Sequence, residues 1–274
     1  MRAKVFSYWS GPVTWMERLS CASAVATGHD VTIFSYAPAA LRGQGLAAQI
    51  EDAREVLDAP ELSCINERVP DHFSDWFRVE GLARGRGTWF DLDMLLLKPL
   101  GAEDYLMAWE QAGSICGAVL RLPPGSPVLD DYLAFCRKRP ITFAPPWYPL
   151  HTRMHMQWKC VEKWLTGKPP PRLHYGPAAL THFVMARGMI VKVMPQDVYY
   201  PFSPRRLAEM RILVDGDAVT GYLAPATRAV HLWRSLYKRE NGMGLPPRDS
   251  WLGRRVAEYG VGGAVSDVPE LAMA

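Results

Sequence analysis

The stretch from Lys4 to Tyr36 restricts the fold more than any other part of the chain. Lys4 to Tyr8 reads as a first strand and ends in Tyr8-Trp9-Ser10-Gly11-Pro12, a turn. Thr14-x-x-Glu17 is a capping box, in which each side chain satisfies the other residue's backbone N–H. It opens a helix to about Thr27, closed by Gly28. Val31 to Tyr36 is β-branched and aromatic and supplies a second strand. Strand, helix, strand in so short a span is a βαβ unit, which makes the two strands parallel. Ligands of such sheets sit outside the carboxyl ends of the strands, so Trp9 and Tyr36 stand at the mouth of a site. Trp9 has two readings, an aromatic packed under the Gly-Pro turn or a ring stacked on the base of a nucleotide.

With 274 residues, 49% of them hydrophobic, the chain suffices for one large α/β domain or two small ones. The formal net charge of +3, with Lys and Arg scattered, argues against nucleic acid as a partner. No apolar run reaches the roughly 18 residues of a membrane span, which leaves peripheral membrane contact open. Met1 to Phe6 lacks a signal-like hydrophobic region. Cys21, Cys64, Cys116, Cys136 and Cys160 are odd in number and far apart, the pattern of reduced, buried thiols in a cytoplasmic protein.

Between Phe73 and Leu100 lies the chemistry. Over Ser74–Gly85, Trp76, Val79 and Ala83 fall at helical spacing, and Phe73 and Phe77 widen that inward stripe. Asp75 and Arg78 share the neighbouring face, as a surface ion pair or as part of a site. Gly85 and Gly87 stop the helix, and Thr88-Trp89-Phe90 starts a strand. Strand alternation points Asp91 and Asp93 the same way, with Leu92 opposed. Two carboxylates on one face repel each other unless a cation lies between them, and Mg²⁺ or Mn²⁺ is the simplest occupant. The plain alternative is a solvated turn or a pair of helix-capping carboxylates.

Ser74-Asp75-x-x-Arg78, Gly85-x-Gly87, Trp89-Phe90, Asp91-x-Asp93 and Lys98-Pro99-Leu100 together resemble the central motif of the DXD-containing glycosyltransferases. That family includes capsular-polysaccharide sugar transferases, α-1,4-galactosyltransferases and fungal α-mannosyltransferases. Ser7 to Pro12, Glu17-Arg18-Leu19, Gly28-His29 and Asp52 to Leu57 are similar to earlier segments of the same family. His231-Leu232-Trp233-Arg234-Ser235 looks like its closing H-x-W motif. The resemblance implies an α/β, GT-A-like fold: a Rossmann-type mixed sheet flanked by helices over residues 1–238, with an insertion at about 140–172 and an extension at 239–274. It implies a retaining, metal-dependent transfer from a nucleotide-sugar donor, a UDP-sugar ahead of GDP-mannose, to a saccharide or glycolipid acceptor. It also implies roles: Asp93, Asp91 and His231 for Mn²⁺ or Mg²⁺; Trp9, Tyr36, Asp75, Arg78 and Asp91 for the donor; Asp91, Asp93 and Arg78 for catalysis. Three departures stand out, namely Gly85-Arg86-Gly87 for an adjacent glycine pair, Tyr175 before Gly176, and Tyr237 for a tryptophan.

From Pro140 to Pro171 the chain is rich in proline and aromatics, which suits loops and a short helix around Met156–Leu165. Trp147 and Tyr148 there, with Gly176 and Pro177 of a G-P-x-x-L-T segment similar to the family's, are the candidate acceptor wall. His151 and His155 lack a third ligand, which weighs against zinc. Ser126 to Lys138 reads as a helix; Ile115–Leu122, Ile190–Val193 and Thr227–His231 read as strands. His231 is either a packed core histidine or a ligand. The last dozen residues read as a mobile tail. Two other functions remain open: a sugar-nucleotide-binding protein without turnover, and a haloacid-dehalogenase-type phosphatase, whose D-x-D belongs on the first strand.

Overall fold

The computed structural model describes residues 2–58, 70–137, 145–167, 175–202 and 211–263. Strand β1 (Ala3–Tyr8), helix α1 (Trp15–Ala26) and strand β2 (His29–Ser35) form the expected βαβ unit, with the Thr14/Glu17 capping box in place. A short helix α2 (Pro38–Leu41) leads to strand β3 (Gln49–Asp52), and helix α3 (Pro70–Ala83) to strands β4 (Thr88–Phe90) and β5 (Met94–Leu96). Strands β6 (Leu106–Gln111) and β7 (Ser114–Arg121) make a hairpin. Helices α4 (Pro127–Cys136), α5 (Leu150–Leu165) and α6 (Pro177–Ala186) follow, and strand β8 (Ala229–His231) precedes α7 (Arg234–Asn241) and α8 (Trp251–Glu258).

The central sheet has the order β3-β2-β1-β4-β7-β6. Strands β3, β2, β1 and β4 run parallel, whereas β7 pairs antiparallel with both β4 and β6. Side-chain alternation on the buried β1 feeds two cores: Phe6 and Tyr8 face Phe34, Phe77 and Trp89, while Val5 faces Ile33 and Phe90. Helices α3, α4 and α6 cover the first face. On the other, α1 packs against β2 and β5, and α8 joins it, with Trp251, Leu252 and Val256 against Trp15, Met16 and Leu19. The mixed α/β sheet flanked by helices is the architecture anticipated above.

Four local expectations change. The expected strand at Ile190–Val193 is a 3₁₀ turn, Met189–Lys192. Only Met194 reaches the sheet edge, at Ala108, and Pro195 has no N–H with which to continue a ladder. Helix α5 begins six residues earlier than the short helix expected at Met156, directly after Pro149. Helix α8 lies in the segment read as an extension, yet buries three side chains against α1. Strands β3 and β6, unforeseen, form the two edges of the sheet. Cys64 and the tail from 264 onward lie outside the described residues.

Candidate metal and donor site

The carboxyl ends of the parallel strands meet where β4 stops. Phe90 is its last residue; the Asp91 N–H still donates to Ala118 O (2.8 Å), and the Met94 N–H turns back onto Asp91 O (3.1 Å). Asp91 and Asp93 therefore sit on a turn and not on a continuing strand, which corrects the alternation argument. Leu92 buries itself in the core and the two carboxylates still converge. A second, two-stranded sheet brings in the third group. Its register pairs Met94 with His231, and the Leu232 N–H donates to Asp93 O at 2.8 Å, which seats the imidazole beside Asp93.

Each aspartate has its own counterion. Arg78 is buried on α3; its Nη2 donates to Asp91 Oδ1 at 3.0 Å, its Nη1 lies 3.3 Å from Asp75 Oδ1, and its guanidinium lies over the Trp89 ring at 4.9 Å. Trp89 Nε1 donates to the same Oδ1 of Asp91 at 2.6 Å, which leaves Oδ2 to other partners. Burial alone would lower the Arg78 pKa, but Asp91 and then Asp75 more than offset it, so the guanidinium stays charged. The fork fits because Gly117 has no side chain: a Cβ there would come within 2.0 Å of Arg78 Nη1. The sequence-level premise of two bare carboxylates repelling one another is thus too simple.

Asp93 is held from the other side. His231 Nε2 lies 3.1 Å from its Oδ1, and the Arg234 N–H donates to its Oδ2 at 2.8 Å. Burial would raise the Asp93 pKa, but the charge and hydrogen bond of His231, with the Arg234 N–H, hold it below the ordinary carboxylate value. Burial likewise opposes the imidazolium of His231, and Asp93 outweighs it, so that pKa is raised. Trp233 has φ 49° and ψ 63°, the one non-glycine residue with positive φ among the described residues. Such a conformation costs about 1–3 kcal/mol. It starts α7 so that the Arg234 N–H reaches Asp93, and it stacks the Trp233 ring on His231 at 3.8 Å. Tyr200 backs the same imidazole at 5.8 Å.

Asp91, Asp93 and His231 each offer a ligand atom, all within 4.8 Å of one another. Two carboxylate oxygens and one imidazole nitrogen suit Mn²⁺, whereas an all-oxygen set would suit Mg²⁺ better. The surroundings fit a ligand as well: the buried Trp9 Nε1, Arg78 Nε, His231 Nδ1 and Trp233 Nε1 have no hydrogen-bond partner among the described residues.

Trp9 follows β1 beside this corner. The Arg234 guanidinium lies over its ring at 5.2 Å, and Arg234 Nε donates to the buried Glu17 at 2.6 Å. Tyr36 follows β2 on the other face of the sheet, with its hydroxyl on Leu57 O and Arg54 over its ring. It packs with Tyr8 and Phe73 and does not join the acidic corner. Trp147 and Pro177 line one open groove of about 850 Å³ together with Gln111, Ser114, Thr181 and His182. The Tyr148 ring lies tilted beside Trp147 at 6.1 Å. Gly176 caps α6 and abuts Asp75, whose Oδ2 lies 2.8 Å from where a Cβ would stand, so groove and corner adjoin there.

Sequence reasoning missed Arg234, which touches Asp93, Glu17 and Trp9 at once. Its only signal was its place in the H-L-W-R-S run. Glu17 was legible as a capping residue, but its long-range partner was not.

No family model matches the sequence, and no curated protein does either. Among solved structures, the PaToxG glycosyltransferase is 15% identical, with 87% of this chain and 84% of that chain covered at a TM-score of 0.44. That likeness is too loose to bear on function.

Proposed function

We propose that the protein is a metal-dependent glycosyltransferase of GT-A type that takes its sugar from a nucleotide diphosphate donor, a UDP-sugar ahead of GDP-mannose. The observation that carries this reading is the convergence of Asp91, Asp93 and His231 within 4.8 Å at the carboxyl edge of the parallel strands, beside Trp9. Asp91, Asp93 and His231 would hold a divalent metal, which when bound would supply positive charge where a departing diphosphate becomes negative. Trp9 offers an indole face for the base. Asp75, at the junction of corner and groove, accepts hydrogen bonds from sugar hydroxyls, and Arg78 fixes both Asp75 and Asp91 with its two terminal nitrogens.

The transfer breaks the bond from the anomeric carbon to the diphosphate oxygen and forms one to an acceptor hydroxyl. The resemblance to the DXD family favours retention of configuration, with the acceptor proton passing to the departing phosphate oxygen. The groove lined by Trp147 and Pro177 is the acceptor side, for a saccharide or glycolipid.

A thermal-shift panel of UDP-Gal, UDP-Glc, UDP-GlcNAc and GDP-Man, with and without Mn²⁺, tests the assignment. A true donor raises the melting temperature only with metal. Stabilisation independent of metal, or none by any nucleotide sugar, contradicts it. Turnover with an acceptor separates the enzyme from a binding protein.

A further inference from the structure

Helix α5 carries an apolar stripe that the described residues leave open. Leu150, Met154, Trp158 and Leu165 expose 68%, 64%, 62% and 70% of their surface. At the helical turn of about 100° per residue they fall within roughly 80° of one another. The helix docks on the molecule through another side, where Cys160 is buried and Met156 packs on the core. Its remaining face is polar and exposed, with His151, His155, Lys159 and Glu162.

Charge says what covers the stripe. From Arg137 to Arg172 the sequence holds eight Lys or Arg residues and one acidic residue, Glu162. Within the helix's own sequence Arg153, Lys159 and Lys163 outnumber Glu162, and the sequence from Arg137 to Arg172 carries a formal +7 against −4 for the remainder of the chain. A second copy docked on the same stripe would bring like charges together. An anionic bilayer instead accepts both parts: large apolar side chains with a tryptophan enter the boundary of head groups and acyl chains, and the basic residues in the helix's own sequence meet the lipid charge.

We infer that α5 is an in-plane docking helix for an anionic lipid surface. It starts three residues after Trp147, at the rim of the groove, so a docked bilayer lies beside that groove. This inference stands apart from the donor-site reading, since neither the metal corner nor the nucleotide enters it.

The test is co-sedimentation of the full chain with vesicles of phosphatidylcholine alone and of phosphatidylcholine with phosphatidylglycerol, at low and high salt. The wild type should bind the anionic vesicles at least about tenfold more tightly than the neutral ones and weaken as salt rises. Replacing Met154→Asp with Trp158→Asp should weaken that binding by about tenfold or more. Both positions are exposed, so the melting temperature should hold, and so should any metal-dependent nucleotide shift. Equal binding to the two vesicle types, no binding to either, or an unaffected double variant overturns the inference. So does a double variant that converts a dimer to a monomer in sedimentation, which would assign the stripe to a second copy.

Discussion

The two ends of the central sheet handle buried polar groups in opposite ways. At the amino ends of the parallel strands the large polar side chains are paired. His29 places Nδ1 3.1 Å from Ala24 O and accepts from the Leu100 N–H at Nε2. Arg121 donates to Thr88 Oγ1 and Glu103 O, and Tyr199 donates to Leu100 O. At the carboxyl ends, Trp9, Arg78, His231 and Trp233 each keep a buried side-chain nitrogen without a partner among the described residues, around three convergent ligand groups. Buried polar atoms are nearly always paired, so the gathering in one corner of four of the nine unpaired side-chain atoms among the described residues marks a site, and the better-satisfied end marks scaffold.

Removing one arginine from each end should give the largest contrast. Arg78→Met leaves Asp75 and Asp91 facing each other in a largely buried setting and should cost about 3–5 kcal/mol in urea unfolding. Arg121→Met loses hydrogen bonds at a half-buried site and should cost about 1–2 kcal/mol. Equal costs would erase the distinction between the ends.

Two glycines sharpen it further. Gly87, at φ 121°, would set a Cβ 2.4 Å from Lys4 O, so Gly87→Ala should cost about 2–3 kcal/mol while folded molecules still bind nucleotide normally. Gly117→Ala pushes on the Arg78 guanidinium, a side chain that can shift. It should cost less stability and weaken metal-dependent nucleotide binding about tenfold, measured by calorimetry.

The smallest effects come from the histidines, and they have opposite signs. Burial first, then Arg121, lowers the His29 pKa despite the Ala24 carbonyl, so the unfolded chain binds more protons just below pH 6.5 and stability rises with pH through that window. His231 is raised by Asp93 against its burial. In metal-free protein its contribution is full below pH 6.5 and disappears as pH climbs through its folded value. His29→Gln and His231→Gln should remove slopes of opposite sign from the stability–pH curve, read by thermal unfolding in chelator. Slopes of one sign would undo the comparison.

What the sequence revealed was local. The capping box, the Gly28 stop and the Thr88-Trp89-Phe90 run act within a few residues, and each yielded the expected element. The D-x-D pair and His231 came together as anticipated, although by a turn and a two-stranded sheet instead of by strand alternation. Arg234 with Glu17, and Arg78 with Asp91, were hidden because folding alone makes partners of residues far apart in sequence. Strand β3, Gln-Ile-Glu-Asp, carries too little apolar content to stand out, and β6 is broken by irregular pairing. The second half of helix α5 was expected, but its first turns, Leu150 to His155, were not, because its buried side is narrow and its apolar stripe faces outward.

Direct Mn²⁺ titration by electron paramagnetic resonance, without nucleotide, tests the acidic corner at its source. Wild-type protein should bind one ion, and Asp93→Asn should weaken that binding by more than about tenfold while leaving the circular dichroism spectrum unchanged. A folded Asp93→Asn protein that holds Mn²⁺ as tightly as the wild type would contradict the account.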